Sequence, residues 1–155
     1  MEDHTKHATS GSYKALGIEM AIDFVIMYLV MYTMIATLDH FHFNLNTVYM
    51  TAMMVAPMTI IMLVSMRSMY PSPRVNLVAG VVAALVFLAS FAAMRTQAAV
   101  GDAEFLRSMI PHHSGAILMC KEASLHDPEI VALCVQIVKS QQAEIAQMEA
   151  ILARH

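Results

Sequence analysis

The sequence predicts an all-α membrane protein: three transmembrane helices followed by an antiparallel αα-hairpin. Three observations carry that prediction. Hydrophobic residues make up 58% of the 155 residues and charged ones only 14%, with a mean hydropathy of +0.58. Soluble domains hold roughly 45–50% apolar and 25% charged residues. Three apolar runs each approach or reach the ~20 residues that cross a hydrocarbon core. After them the pattern changes to two amphipathic runs joined by a tight turn.

Taken in order, residues 1–15 (MEDHTKHATSGSYKA) form a polar tail, expected to be mobile. It lacks the charged, apolar and cleavage regions of a signal peptide. An amino-terminal copper motif would need histidine in third place; Glu2 hinders removal of Met1 and leaves His4 fourth. Residues 16–95 form the membrane domain. Its first span covers Leu16–Leu38 and carries Glu19 and Asp23, one helical turn apart on a shared face. They are expected near an interface or facing the bundle. The second span, Thr47–Met66, and the third, Val75–Met94, contain no charge. In the third, Gly80 and Ala84, with Ala79 and Ala83 beside them, make a small-xxx-small pattern that permits close helix approach.

Loop charges set an expected orientation. Lys6, Lys14, Arg67 and Arg74 lie on one side, Arg95 and Arg107 on the other, and the loop Asp39–Asn46 has no lysine or arginine. The positive-inside rule then puts the amino terminus in the cytoplasm. The first loop and the carboxy-terminal domain face the exterior, which in a bacterium means the periplasmic side of the inner membrane.

Residues 102–155 form the hairpin. Gly101 breaks the preceding pattern and Asp102 can cap a helix over Ala103–Ser124. Pro111 predicts a kink or restart within it. A turn at Leu125-His126-Asp127 follows, with Asp127 as N-cap and Pro128 in the first helical position. In the last run, Pro128–Ala153, Ile130, Cys134, Ile137, Gln141, Ile145, Met148 and Leu152 keep three-and-four spacing. One hairpin cannot enclose a core. It must dock on the membrane bundle or pair with a second copy, and a homodimeric four-helix bundle is the simplest solution.

The chemistry sits in this hairpin. Folding it about residues 126–127 puts Met119 level with Cys134, His112 with Gln141 and Met109 with Glu144. One neighbourhood is then Met109, His112, His113, Gln141 and Glu144, with Met148 a turn away. The other is Met119, Cys120 and Cys134. Thioether beside imidazole suits Cu(I) or Ag(I) better than Zn, Mg or Ca. The first group also reads as a buried polar network, with methionine as a core gap-filler. Cys120 and Cys134 read either as a disulfide, which an external location permits, or as a thiolate pair binding Cu(I).

Met109-Ile110-Pro111-His112-His113, then Ala116-Ile117-Leu118-Met119, Asp127-Pro128-Glu129, and Gln141 with Glu144-Ile145 and Met148 resemble the family of domain of unknown function 305, over about Ala103–Leu152. The membrane part, with Met27-Tyr28, Met31-Tyr32, Tyr49-Met50 and Met69-Tyr70, resembles a membrane-anchored subset of it. The resemblance implies a ferritin-like helical bundle and, from some members, periplasmic copper binding tied to copper resistance. It marks Met109, His112, His113, Met119 and Met148 as metal-contacting positions. The chain departs from ferritin-type di-iron sites, which use paired Glu-x-x-His motifs: it has none, and Glu122 and Glu129 lie near the turn.

The leading expectation is a non-enzymatic, membrane-anchored Cu(I) or Ag(I) binder in metal resistance or handover. A copper-transporter-like conduit is the alternative, because Met50, Met54, Met58, Met62 and Met66 recur every four residues in the second span, with Met53 and Met69 adjoining. A four-residue step overshoots a turn by about 40°, so that band winds around its helix. A third reading is a structural subunit whose methionine-rich surface grips a partner. No nucleophile–base pairing, phosphate loop or open zinc site points to an enzyme, and a net charge of −3 gives no footprint for nucleic acid.

Overall fold

The computed structural model describes residues 3–155, with side chains from residue 13 onward. Met1, Glu2 and the side chain of His4 lie outside the described residues. Among the described residues all regular structure is helical: α1 (Asp3–Val30), 3-10 turns at Met31–Met34 and Leu38–His40, α2 (Leu45–Ser65), α3 (Pro73–Thr96), α4 (Asp102–Glu122) and α5 (Pro128–Leu152). Helix α1 runs back through the polar amino-terminal residues instead of starting near Leu16. Extending an existing helix costs far less than nucleating one.

Two compact units result. The first takes the chain through Leu29 together with Val48–Ala98; the second takes Val30–Thr47 and Ala99–His155.

The first unit holds the apolar helices. Tyr13–Met34, Leu45–Ser65 and Pro73–Thr96 are long and apolar enough to cross a membrane. Their packing is inverted relative to a soluble core. Ile18, Ile22 and Val25 on α1, and Leu77, Val81, Leu85 and Leu88 on α3, are half or more exposed. Water would penalise so large an apolar surface, whereas lipid accepts it. Among the described residues Leu16, Leu63 and Tyr70 form a buried cluster joined by Met20, Met62 and Ala79, and Tyr28, Thr51, Val55, Ala56 and Ala83 are also buried. The flanking Ala79 and Ala83 thus occupy the packed side of α3, whereas Ala84 is exposed and a Cβ at Gly80 would meet no atom within 4 Å. Tyr13 donates to Asn76 Oδ1 (2.7 Å) and accepts from the Ser72 N–H (3.2 Å). Asn76 donates to the Tyr70 carbonyl (2.7 Å). Together these bonds tie α1 to the α2–α3 connection.

The second unit is the hairpin with the first loop laid on it. Asp127 caps α5 by accepting from Glu129 N–H (2.8 Å) and Ile130 N–H (3.3 Å), with Pro128 at the first position, as its sequence requires. Helix α4 continues through Pro111, so the expected restart does not occur. The proline's fixed φ fits a helix, while its missing N–H leaves the Arg107 carbonyl without its helical partner and its ring crowds that carbonyl, a local cost that the helix absorbs. Leu106, Ile110, Ile117, Ile145 and Met148 form the core, with Ala36, Met109, Val138, Ile151 and Leu152 packed against it.

At the turn end Cys120 and Cys134 are joined by a disulfide, Cα–Cα 5.3 Å. Closing a loop of this length in the unfolded chain is worth about 3 kcal/mol in the entropy model.

The first span was expected to run to Leu38, with a loop over Asp39–Asn46; instead α1 ends at Val30, and residues 30–47 cover part of α4. Ser114, fully buried, accepts from the Ala36 N–H (2.7 Å) and lies 2.7 Å from His40 Nδ1. Asn44, also buried, caps α2 by accepting from the Thr47 N–H (2.9 Å). It donates to Tyr32 Oη (2.9 Å), and Tyr32 donates to the His42 carbonyl (2.6 Å). Glu104 accepts from the Leu45 N–H (3.3 Å). The loop is therefore pinned along α4 at several points.

Candidate metal-binding face of the hairpin

Helix α4 turns Leu106, Ile110 and Ile117 into the core. That periodicity carries His113 to the edge of the packed face and His112 out to solvent. The two rings are 6.0 Å apart, at 57°. The His113 side chain is 12% exposed, and its Nδ1 lies 3.1 Å from Glu144 Oε2. That contact lacks hydrogen-bond alignment, for Nδ1 is among the buried polar atoms without a partner. We read it as an electrostatic pairing. Burial holds the His113 imidazole below its ordinary pKa; Glu144 opposes the shift and His112 adds to it.

Level pairing across the turn put Met109, not His113, beside Glu144. The difference follows from side-chain direction. Helical side chains lean toward their own amino terminus, so in an antiparallel pair His113 and Glu144 lean toward each other by about a turn. Close to the turn, pairing matches the expected register, as the disulfide demonstrates.

The eight sequence-predicted ligands thus divide. His113 and Glu144 are in contact. Met109 packs against the core cluster that contains Met148, which is 9% exposed. His112 lies outward, and Met119 is 59% exposed. Cys120 and Cys134 are bonded to each other, so in this form neither is a thiolate ligand.

Among the described residues no three His, Cys, Asp or Glu side chains are grouped to hold a metal ion. The donors on this face are instead an imidazole and a carboxylate, with two thioethers on the adjoining core. The imidazole and the carboxylate by themselves suit several ions; only the thioethers would add soft character.

Sequence reasoning missed the polar groups of the first loop. His42 is half-buried, and its Nε2 has no partner. Burial depresses its pKa, Glu149 opposes, and Arg107 and His40 add to the fall. Ser108 Oγ and Gln141 Oε1 are likewise buried without a partner. The available signal was Ser114, a polar residue on the apolar stripe of α4 that required a partner from elsewhere.

Residues 82–152 match the family profile described as "Domain of unknown function (DUF305)". An uncharacterized protein of Acanthamoeba polyphaga mimivirus is 36% identical over 111 residues, covering 70% of this chain and 71% of that protein. The chain belongs to the DUF305 family. The DUF305 match takes in the later part of α3 as well as α4 and α5, so it begins earlier than the hairpin. The viral relative's similarity is about twice as long as the hairpin and therefore includes membrane helices too. No solved structure matches the chain. Met109, His112, His113, Met119, Glu144 and Met148 fall inside the DUF305 segment, whereas His40 and His42 precede it.

Proposed function

We propose that this DUF305 protein is a membrane-anchored, non-enzymatic binder of Cu(I) or Ag(I), acting in metal resistance or handover outside the cytoplasm. The observation that carries the reading is His113. It is a buried imidazole whose charged form is disfavoured, beside the Glu144 carboxylate and a core built partly of Met109 and Met148. A neutral imidazole offers a nitrogen lone pair. The Glu144 charge near Nδ1 electrostatically favours the proton on that nitrogen, which leaves the Nε2 lone pair for a metal; a small shift that aligned the pair would give the usual support of a metal-bound histidine. Thioethers supply soft donors without adding charge.

The disulfide is consistent with an oxidising compartment, and supports the orientation that the loop charges favour: amino terminus cytoplasmic, hairpin periplasmic or external. Ile130, Val131, Leu133 and Val135 remain exposed on α5. A second copy covering them would give a homodimeric, ferritin-like four-helix bundle.

Metal accumulation and tolerance in cells test the assignment. Changing His112 and His113 to Ala should remove most Cu(I) binding and tolerance. Changing Met54, Met58 and Met62 to Leu should have little effect, since such swaps conserve volume. Met54 and Met58 are partly exposed while Met62 packs inward, so they do not share one face. A dominant loss from the methionine triple, with the histidine variant near normal, would replace the binder by a conduit.

A further inference from the structure

The turn end of the hairpin is chemically separate from the His113 face. Cys120 and Cys134 stand outside the core cluster of Leu106, Ile110, Ile117, Ile145 and Met148. They line an open groove of about 490 Å³, together with Lys121, Lys139 and Gln142. A small reductant or an ion can therefore reach both sulfurs. Nearby ammonium groups favour the thiolate form of a cysteine. Met119, the residue before Cys120, leaves its thioether exposed at 59%, unused by packing. The Cα atoms are 5.3 Å apart on two helices, a spacing at which the freed sulfurs stay within reach of one ion.

We propose that this end of the hairpin is a second soft-metal site, closed while Cys120 and Cys134 are bonded and opened by a dithiol reductant. One thiolate of the reductant attacks a cysteine sulfur, the S–S bond breaks, and the other cysteine leaves as a thiolate. The reductant's second thiol then attacks the mixed disulfide and frees the first cysteine. Two electrons and two protons have passed to the protein, and the reductant ends as a cyclic disulfide. One Cu(I) then displaces both thiol protons and is held between two sulfurs, with the Met119 thioether alongside. The proposal shares the soft-metal reading above but uses different residues.

The test uses the full chain in detergent, oxidised or reduced with a small dithiol that is removed under nitrogen, then loaded from a Cu(I) chelator. The reduced protein should hold one more Cu(I) per chain than the oxidised one, with near-ultraviolet thiolate-to-copper absorption. That increment should vanish in the C120S/C134S variant, and in wild-type protein alkylated after reduction, a control that needs no mutant to fold. It should persist in the H112A/H113A variant. Equal stoichiometry in the two redox states would overturn the proposal. So would an increment that survives loss of the thiols, a disulfide that resists the dithiol in the folded protein, or loss of the increment in the histidine variant. Binding by the oxidised protein that ignores H112A/H113A would instead count against the His113 site alone.

Discussion

His42 is a single side chain expected to make the second unit sensitive to acid. Its ring is placed by a backbone whose carbonyl accepts from Tyr32 and from Asn44 (3.1 Å). Burial lowers its pKa from the ordinary value of about 6.5. Below that value the unfolded chain takes up a proton that the folded state resists, so stability falls with pH. Above it both states are neutral and this dependence disappears. Thermal unfolding in detergent should therefore give a steady Tm above about pH 6.5 and a falling one below it. His42→Gln should flatten part of the fall. A profile unchanged by the substitution would assign the sensitivity to other groups.

The elements differ in how plainly the sequence announces them. The α4–α5 turn was legible because Asp127 and Pro128 act locally, and the Cys120–Cys134 register follows from equal distance to that turn. Three apolar spans were legible from length alone. The bend after Val30 was not, because apolar residues through Leu38 give no stop signal; the chain leaves the helix there to reach partners on α4. His113 lies beside Glu144, a level that residue counting misjudged because it ignores side-chain lean. The outward position of His112 and the exposure of Met119 were beyond reach for a similar reason: adjacent residues on a helix face different ways. The connection after α3 also gave no warning. Gln97 (φ 52°) caps α3 in the left-handed region, and Ala99 (φ 58°) lies there too. That region costs an ordinary L-residue roughly 1–2 kcal/mol. Ala99→Gly should stabilise the protein by about 0.5–1 kcal/mol after allowing for a more flexible unfolded chain, and Ala99→Val should destabilise it by about 1 kcal/mol or more. Unfolding midpoints of the two variants check the sign.

At the scale of the whole molecule, the same apolar residues that would make α1–α3 insoluble in water make them stable in lipid. Orientation can be read with thiol labelling because the two native cysteines are bonded. Asp39→Cys and Arg154→Cys, both at exposed positions, should react alike with an impermeant maleimide applied from outside. Labelling of only one would refute the proposed topology. The loop pinned on α4 has a consequence for biosynthesis. Ala36 and Ser114 are 78 residues apart, and α2 and α3 are translated between them. At about 5–20 residues per second, the loop waits several seconds for its partner helix while two spans enter the membrane. During that interval the Ala36 N–H and the His40 ring, whose partner is Ser114, must be solvated or held by an insertion factor. A fragment beginning at Asp102 would meet the reverse problem. It would present the Ser114 side of α4 bare, so the smallest self-sufficient piece of this unit is assembled from two stretches of chain that the ribosome delivers at different times.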